Sequence, residues 1–114
     1  MSTDTLAMSE TEILDQIKRE TAENRVFLYM KGTPDMPRCG FSNQVVQILN
    51  HVGTEYGARD VLTDPRVRYV LSDWSDWPTI PQLFVDGKLV GGCDIVTEMF
   101  QDGELEKLVT SPAR

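Results

Sequence analysis

The segment Leu83-Phe84-Val85-Asp86-Gly87-Lys88-Leu89-Val90 constrains this chain more than any other. Two apolar runs flank an Asp-Gly pair, and that pair suits the positive-φ positions of a two-residue hairpin turn. The two runs must therefore be antiparallel neighbours. Earlier, Val26 to Met30 is a run of five apolar residues without polar alternation, the mark of a strand covered on both faces. A hairpin and a doubly buried strand in one chain call for a sheet with helices above and below it.

Helical periodicity fills the intervals. Ser9-Glu10-Thr11-Glu12 fits a capping box and Ile13, Leu14 and Ile17 form a short stripe, so a helix is expected over 10–22. Val45, Ile48, Leu49 and Val52 fall at i, i+3, i+4 and i+7, with Gly53 as the stop. Asp64-Pro65 sets an N-cap before a proline at the first helical position, and Val67, Val70, Leu71 and Trp74 carry a third helix over 65–74. Ile95, Val96, Met99 and Phe100 form a fourth; Gly103 breaks it, and Leu105, Leu108 and Val109 continue in a short fifth. Glu55 to Val61 is a weaker strand. The order α-β-α-β-α-β-β-α-α predicts an α/β fold with a right-handed parallel crossover, the antiparallel hairpin, and a mixed four-stranded sheet flanked by helices. Residues 9–110 read as this one domain, with tails at 1–8 and 111–114.

Composition excludes several classes. The 114 residues suffice for a single core. Eleven Lys and Arg against eighteen Asp and Glu give a net charge of −7, the opposite of a general nucleic-acid binder's basic footprint. No apolar run reaches the ~18 residues of a membrane span. Met1 to Ser9 carries Asp4, no Lys or Arg and no long apolar stretch, so no leader is read there and a reducing, cytoplasmic setting is expected. Two cysteines are too few for a disulfide scaffold or a four-cysteine metal site within one chain.

Chemistry concentrates at Cys39. It follows the first strand and a loop holding Gly32, Pro34 and Pro37, and it stands where the second helix starts. Free N–H groups and the helix dipole favour negative charge there, and Lys31 and Arg38 are the nearest cations in sequence. These features predict a lowered thiol pKa, against the buried inert cysteine that is the common fate of a free thiol. In Cys39-Gly40-Phe41-Ser42, a redox dithiol would have a cysteine in place of Ser42, and a hydroxyl cannot resolve a mixed disulfide. The site therefore forms a mixed disulfide with a small thiol or binds a metal. Ser42 itself reads equally as a capping residue. Other residues have plain alternatives as well. Lys31 reads equally as a solvated strand end, Arg68 as a surface arginine and Cys93 as a small buried residue. Trp74 continues a helical stripe into the core, Trp77 is expected to be partly buried, and His51 ends a helix where a cation favours the dipole.

Four blocks occur in order within this element pattern. They are Lys31-Gly32-Thr33 with the prolines after it, Cys39-Gly40-Phe41-Ser42, Trp77-Pro78-Thr79-Ile80-Pro81-Gln82, and Gly91-Gly92-Cys93-Asp94. With them, over about residues 10–110, the chain resembles the CGFS-type monothiol glutaredoxins. The resemblance implies a thioredoxin-like fold, a glutathione site and Cys39 as the catalytic thiol. It implies that Lys31 reaches the glycine carboxylate of glutathione, and that Arg68, rather than Arg66 on another helix face, helps hold that end. Ile80, before a cis Pro81, would pair its backbone with the cysteinyl part. Cys93 and Asp94, opening a helix, would bind the γ-glutamyl end, and Phe41 belongs to the same site. Glutathione is a polyanion at neutral pH, and a pocket with Lys31, Arg68 and two helix starts suits its carboxylates.

The resemblance also implies a [2Fe–2S] cluster. Such a cluster takes four ligands, usually thiolates. Two chains, each with Cys39 as metal ligand, and two glutathione molecules supply that set. The expected cofactors are glutathione and a [2Fe–2S] cluster bridged in a homodimer. The expected function is transfer of that cluster to apo iron–sulfur client proteins, with a second copy of the chain and a BolA-like protein as further partners. Neither nucleic acid nor membrane is expected. The alternative is an enzyme, a glutathione-dependent thiol–disulfide oxidoreductase: Cys39 takes glutathione from a mixed disulfide and a second glutathione regenerates it. A third reading is an iron-status sensor acting through a partner. The loop from Thr33 to Arg38 favours the carrier, because in the family a loop of this length goes with poor transferase activity.

Overall fold

In the computed structural model residues 8–110 are described; of the expected tails, 1–7 and 111–114 lie outside the described residues. The elements follow the expected order: α1 Glu10–Glu23, β1 Val26–Met30, α2 Gly40–Val52, β2 Gly57–Asp60, α3 Pro65–Ser75, β3 Gln82–Val85, β4 Lys88–Gly91, α4 Cys93–Gln101 and α5 Glu104–Thr110. The sheet order is β2-β1-β3-β4. β1 pairs with β2 in parallel and with β3 antiparallel, and β3 pairs with β4 antiparallel.

The apolar run of β1 serves both faces because successive side chains point to opposite sides. Val26, Leu28 and Met30 join Leu83 and Val85 of β3 in one cluster, closed by Val45 and Leu49 of α2, Val96 of α4, and Leu105 and Val109 of α5. Phe27 and Tyr29 turn the other way with Phe84, and meet Ile13 and Ile17 of α1 and Val67 and Leu71 of α3. Met8 packs against this second cluster. Trp74, expected in the core, is only half-buried: it stacks on Phe84 at the cluster's edge, with ring centroids 5.7 Å apart. The Tyr29 hydroxyl donates to Glu20 Oε1 at 2.8 Å, and Arg59 of β2 reaches the same carboxylate at 3.1 Å, which ties α1 to the sheet. Burial, first, then the Glu20 charge push the Tyr29 hydroxyl well above its ordinary pKa.

Local chemistry sets the element ends. Ser9 and Glu12 form the reciprocal capping box of α1. Asp64 caps α3 through the Arg66 N–H, with Pro65 following. Asp86 and Gly87 take the positive φ values, 53° and 79°, that the hairpin turn demands. The weak signal over 55–61 becomes the four-residue β2, an edge strand half-buried along its length, which explains why its pattern was faint. Among the described residues no helix is long and apolar enough to cross a membrane.

The topology gathers chain segments at one end of the sheet. Tyr29, near the end of β1, lies opposite Gln82, the first residue of β3. Gly91, the last residue of β4, lies opposite Leu83. The end of β1, the residues before β3 and the start of α4 therefore converge there.

Candidate functional site

The segment between β1 and α2 is a miniature hairpin. Thr33 and Met36 exchange main-chain hydrogen bonds at 3.2 and 3.0 Å, and the Arg38 N–H donates to the Lys31 carbonyl at 2.9 Å. One carboxylate oxygen, Asp60 Oδ1, accepts the Gly32 N–H at 2.9 Å and the Leu62 N–H at 2.8 Å, which fastens this loop to the one after β2. Gly32 has φ 89°, and a Cβ there would fall on the Met36 carbonyl oxygen and 2.7 Å from the Arg38 nitrogen. Only glycine fits this close approach.

The hairpin delivers Cys39 to the N-cap of α2 in extended conformation, with no side-chain cap bond. Ser42 is not a cap. It is fully buried, and its Oγ accepts the Lys31 N–H at 3.1 Å. The Cys39 thiol is held below its ordinary pKa by the Ser42 N–H first of all, against the opposing effect of burial. The Phe41 N–H, the Lys31 charge and the Ser42 hydroxyl lower it further. This is the thiolate-stabilising environment of a helix start.

Beside it lies a cavity of about 330 Å³. Lys31, Phe41, Arg68, Ile80, Pro81, Cys93 and Asp94, all named from sequence, line it together. Cys39 itself stands outside that lining; its thiol feels the Lys31 charge, and its own charge reaches Cys93. The Ile80–Pro81 bond is cis. Arg66 turns away: it pairs with Asp64 at 3.0 Å and donates to the Met8 carbonyl at 2.6 Å. Cys93, the first residue of α4, is buried, with its Sγ 3.9 Å from Thr97 Oγ1. Burial, first, raises its thiol pKa, and the Asp94 and Cys39 charges add to this against the Thr97 hydroxyl. Both cysteines are free.

Trp77, Thr79, Gly92 and Ile95 also line the cavity and were not named as site residues. The Trp-Pro-Thr run before Ile80 was the available signal for the first two. Gly92 looked like an ordinary connection, yet a Cβ there would meet Trp77 Nε1 at 3.2 Å and the Pro81 carbonyl at 3.3 Å. Its small size keeps the cavity floor open. Among the described residues no group of three His, Cys, Asp or Glu side chains is placed to hold a metal ion.

Residues 26–90 match the family described as Glutaredoxin. The chain is 50% identical over 102 residues to Glutaredoxin 4 of Pasteurella multocida, covering 90% of this chain and 94% of that one. It is 52% identical over 102 residues to a probable monothiol glutaredoxin 2 of Rickettsia typhi, covering 90% and 92%. The solution structure of reduced poplar apo GrxS14 superposes with a TM-score of 0.78 at 40% identity, over 88% of this chain and 93% of that one. Likeness on this scale, around a single cysteine in the tetrapeptide with serine in the fourth position, leaves one conclusion: the chain belongs to the glutaredoxin family, in its monothiol branch.

Proposed function

We propose that this protein carries a [2Fe–2S] cluster, held as cargo between two copies by Cys39 of each and by two bound glutathione molecules, and passes it to apo iron–sulfur proteins. The observation that carries the reading is the pairing of a single lowered-pKa thiol with an adjoining cavity of peptide size. Its fourth-position neighbour, Ser42, is committed to the Lys31 N–H. A resolving thiol is absent from the tetrapeptide, so Cys39 is free to act as a ligand.

The residues divide the work by chemistry. Lys31 and Arg68 supply positive charge for the glycine carboxylate of glutathione. The Ile80 main chain, beside the cis Pro81, offers an amide edge for the cysteinyl part. The start of α4, with Cys93 and Asp94, offers N–H groups and a carboxylate for the γ-glutamyl end. Phe41 forms an apolar side of the cavity. Glutathione is then held by weak, separable contacts, which makes the cluster exchangeable. Transfer is ligand exchange: client thiols replace the four sulfurs in turn, each incoming thiol giving up a proton and each departing thiolate taking one up. A BolA-like protein would enter by supplying its own side chain in place of one ligand. Two free thiols favour a reducing compartment such as the cytoplasm.

The same lowered thiol favours a second reading, a glutathione-dependent oxidoreductase acting through the Cys39 mixed disulfide. Anaerobic reconstitution with iron, sulfide and glutathione separates the two. The carrier gives a glutathione-dependent visible chromophore in a dimer with about two irons, set by the cluster's composition, and Cys39→Ser abolishes it. A colourless monomer with brisk reduction of glutathione mixed disulfides would select the enzyme instead.

A further inference from the structure

Gln82 is the first residue of β3, fully buried, and stands outside the residues that line the cavity. Its Nε2 donates to the Trp77 carbonyl at 3.0 Å and the Thr79 carbonyl at 3.2 Å, with Ser72 Oγ at 3.4 Å. Its Oε1 is buried with no hydrogen-bond partner among the described residues. Burying an unpaired carbonyl is costly, and an apolar side chain of similar volume would avoid that cost. The amide is therefore retained for its donors.

Those donors act on one segment. Trp77, Thr79, Ile80 and Pro81, from the segment between α3 and β3, all contribute to the cavity wall. Two carbonyls of this segment, at alternate positions, turn inward onto a single amide group. That fixes the path of the chain immediately before Ile80, and with it the direction of the Ile80 main chain on which the proposed glutathione contact depends. A main-chain contact of this kind discriminates between ligands. A peptide-like thiol with its own amide groups uses it, whereas a small thiol without them does not.

We infer that Gln82 is a positioning residue that makes the site selective for glutathione over simple thiols, acting from behind the wall through the Trp77 and Thr79 carbonyls. The inference rests on the proposed glutathione site. The test is a pair of exchange equilibria on the full chain. The Cys39 thiolate attacks one sulfur of glutathione disulfide or of bis(hydroxyethyl) disulfide. The reagent's S–S bond breaks, a new one forms to Cys39, and the other half leaves as a thiolate that takes up the proton; no external oxidant or reductant enters. The ratio of the two equilibrium constants measures selectivity.

The wild type is expected to favour glutathione, and Gln82→Met to lower that ratio about tenfold, the loss of one hydrogen bond's worth of binding, with little change in the hydroxyethyl constant. A merely structural role would move both constants alike. Unchanged selectivity in Gln82→Met overturns the inference and leaves the glutathione site standing. A wild type with no selectivity removes both. Should Gln82→Met not fold, nuclear magnetic resonance of the wild type decides. The Gln82 side-chain amide protons are expected to exchange slowly with water and to shift when Cys39 carries glutathione but not hydroxyethyl thiol. Exchange at the rate of an exposed amide, or equal shifts with both adducts, overturns the inference.

Discussion

Around the Cys39 thiol, three groups belong to the first turn of α2 and one to Lys31, the residue just after β1. The Ser42 N–H, the Phe41 N–H and the Ser42 hydroxyl stabilise the thiolate locally, and Lys31 adds its charge. Ser42 links the two sides, since the same oxygen accepts the Lys31 N–H. Ser42→Ala removes the hydroxyl from both, and leaves a Lys31 N–H without its acceptor at a cost of about 1–3 kcal/mol in unfolding free energy. The thiol pKa is expected to rise in the variant, because a donor to the charged form is lost. Lowered in the fold, the Cys39 pKa contributes stability that is present above the unfolded-state value and is lost as pH falls through the folded value. Ser42→Ala narrows that window from its acid side. Thiolate absorbance followed against pH measures the shift: a midpoint above the wild type's is expected, and an unchanged midpoint would remove Ser42 from the thiol's environment. The lowered pKa of the thiol was legible from sequence, because a helix start after a strand is a local pattern. The job of Ser42 was not, since its partner lies eleven positions back on another element.

Among the elements, the β1–α2 hairpin has the most exacting geometry. Gly32 and Gly53 share nearly the same φ, 89° and 84°, in very different surroundings. A Cβ at Gly53 meets nothing within 4 Å, whereas one at Gly32 collides with main chain. Gly53→Ala is therefore expected to lose only the left-handed backbone penalty, ~1–2 kcal/mol. Gly32→Ala is expected to lose more than that and to change the reactivity of Cys39, because the Asp60 and Arg38 bonds that set the hairpin must give way. Thermal melts paired with the rate of thiol alkylation test the contrast; equal losses in the two variants would mean that the hairpin adapts freely. The strands, caps and hairpin turn were legible because each is written within a few residues. The clamp at Asp60 was not, because it joins Gly32 to an oxygen twenty-eight positions away, on a strand whose half-buried edge position left little pattern. Trp74 shows the same limit from the other side: helical spacing placed it on the apolar stripe, and only the packing of α3 at the edge of its cluster shows how much of it stays exposed.

For the molecule as a whole, charge and apolar surface are distributed unevenly. The net charge is −7, so two copies repel at long range, and physiological salt screens that repulsion beyond ~8 Å. Contact must then come from short-range surface. Among the described residues the large exposed apolar side chains are Met36, Phe41, Leu62, Tyr69 and Ile95. Phe41 and Ile95 line the cavity, Met36 tips the hairpin before Cys39, Leu62 shares the Asp60 clamp, and Tyr69 adjoins Arg68 on α3. Met36 and Phe41 thus lie on the segments next to the thiol, Ile95 on the same cavity as Phe41, and Leu62 and Tyr69 on elements that adjoin these. A cluster bridged by the two Cys39 sulfurs requires these ends to face each other, because its irons and sulfides span only a few bond lengths. In the proposed loaded dimer this apolar surface would be covered. The double substitution Met36→Asp with Tyr69→Asp is expected to leave the free chain folded and monomeric. It should weaken the reconstituted dimer at least about tenfold, the equivalent of ~1.4 kcal/mol, by setting carboxylates against carboxylates in a buried rim. Sedimentation of the reconstituted protein, read with its visible absorbance, measures this. A weakened dimer that tightens as salt is raised fits mutual repulsion between these faces. A double variant that binds cluster and sediments as a dimer as firmly as the wild type would show that the two copies meet by another surface.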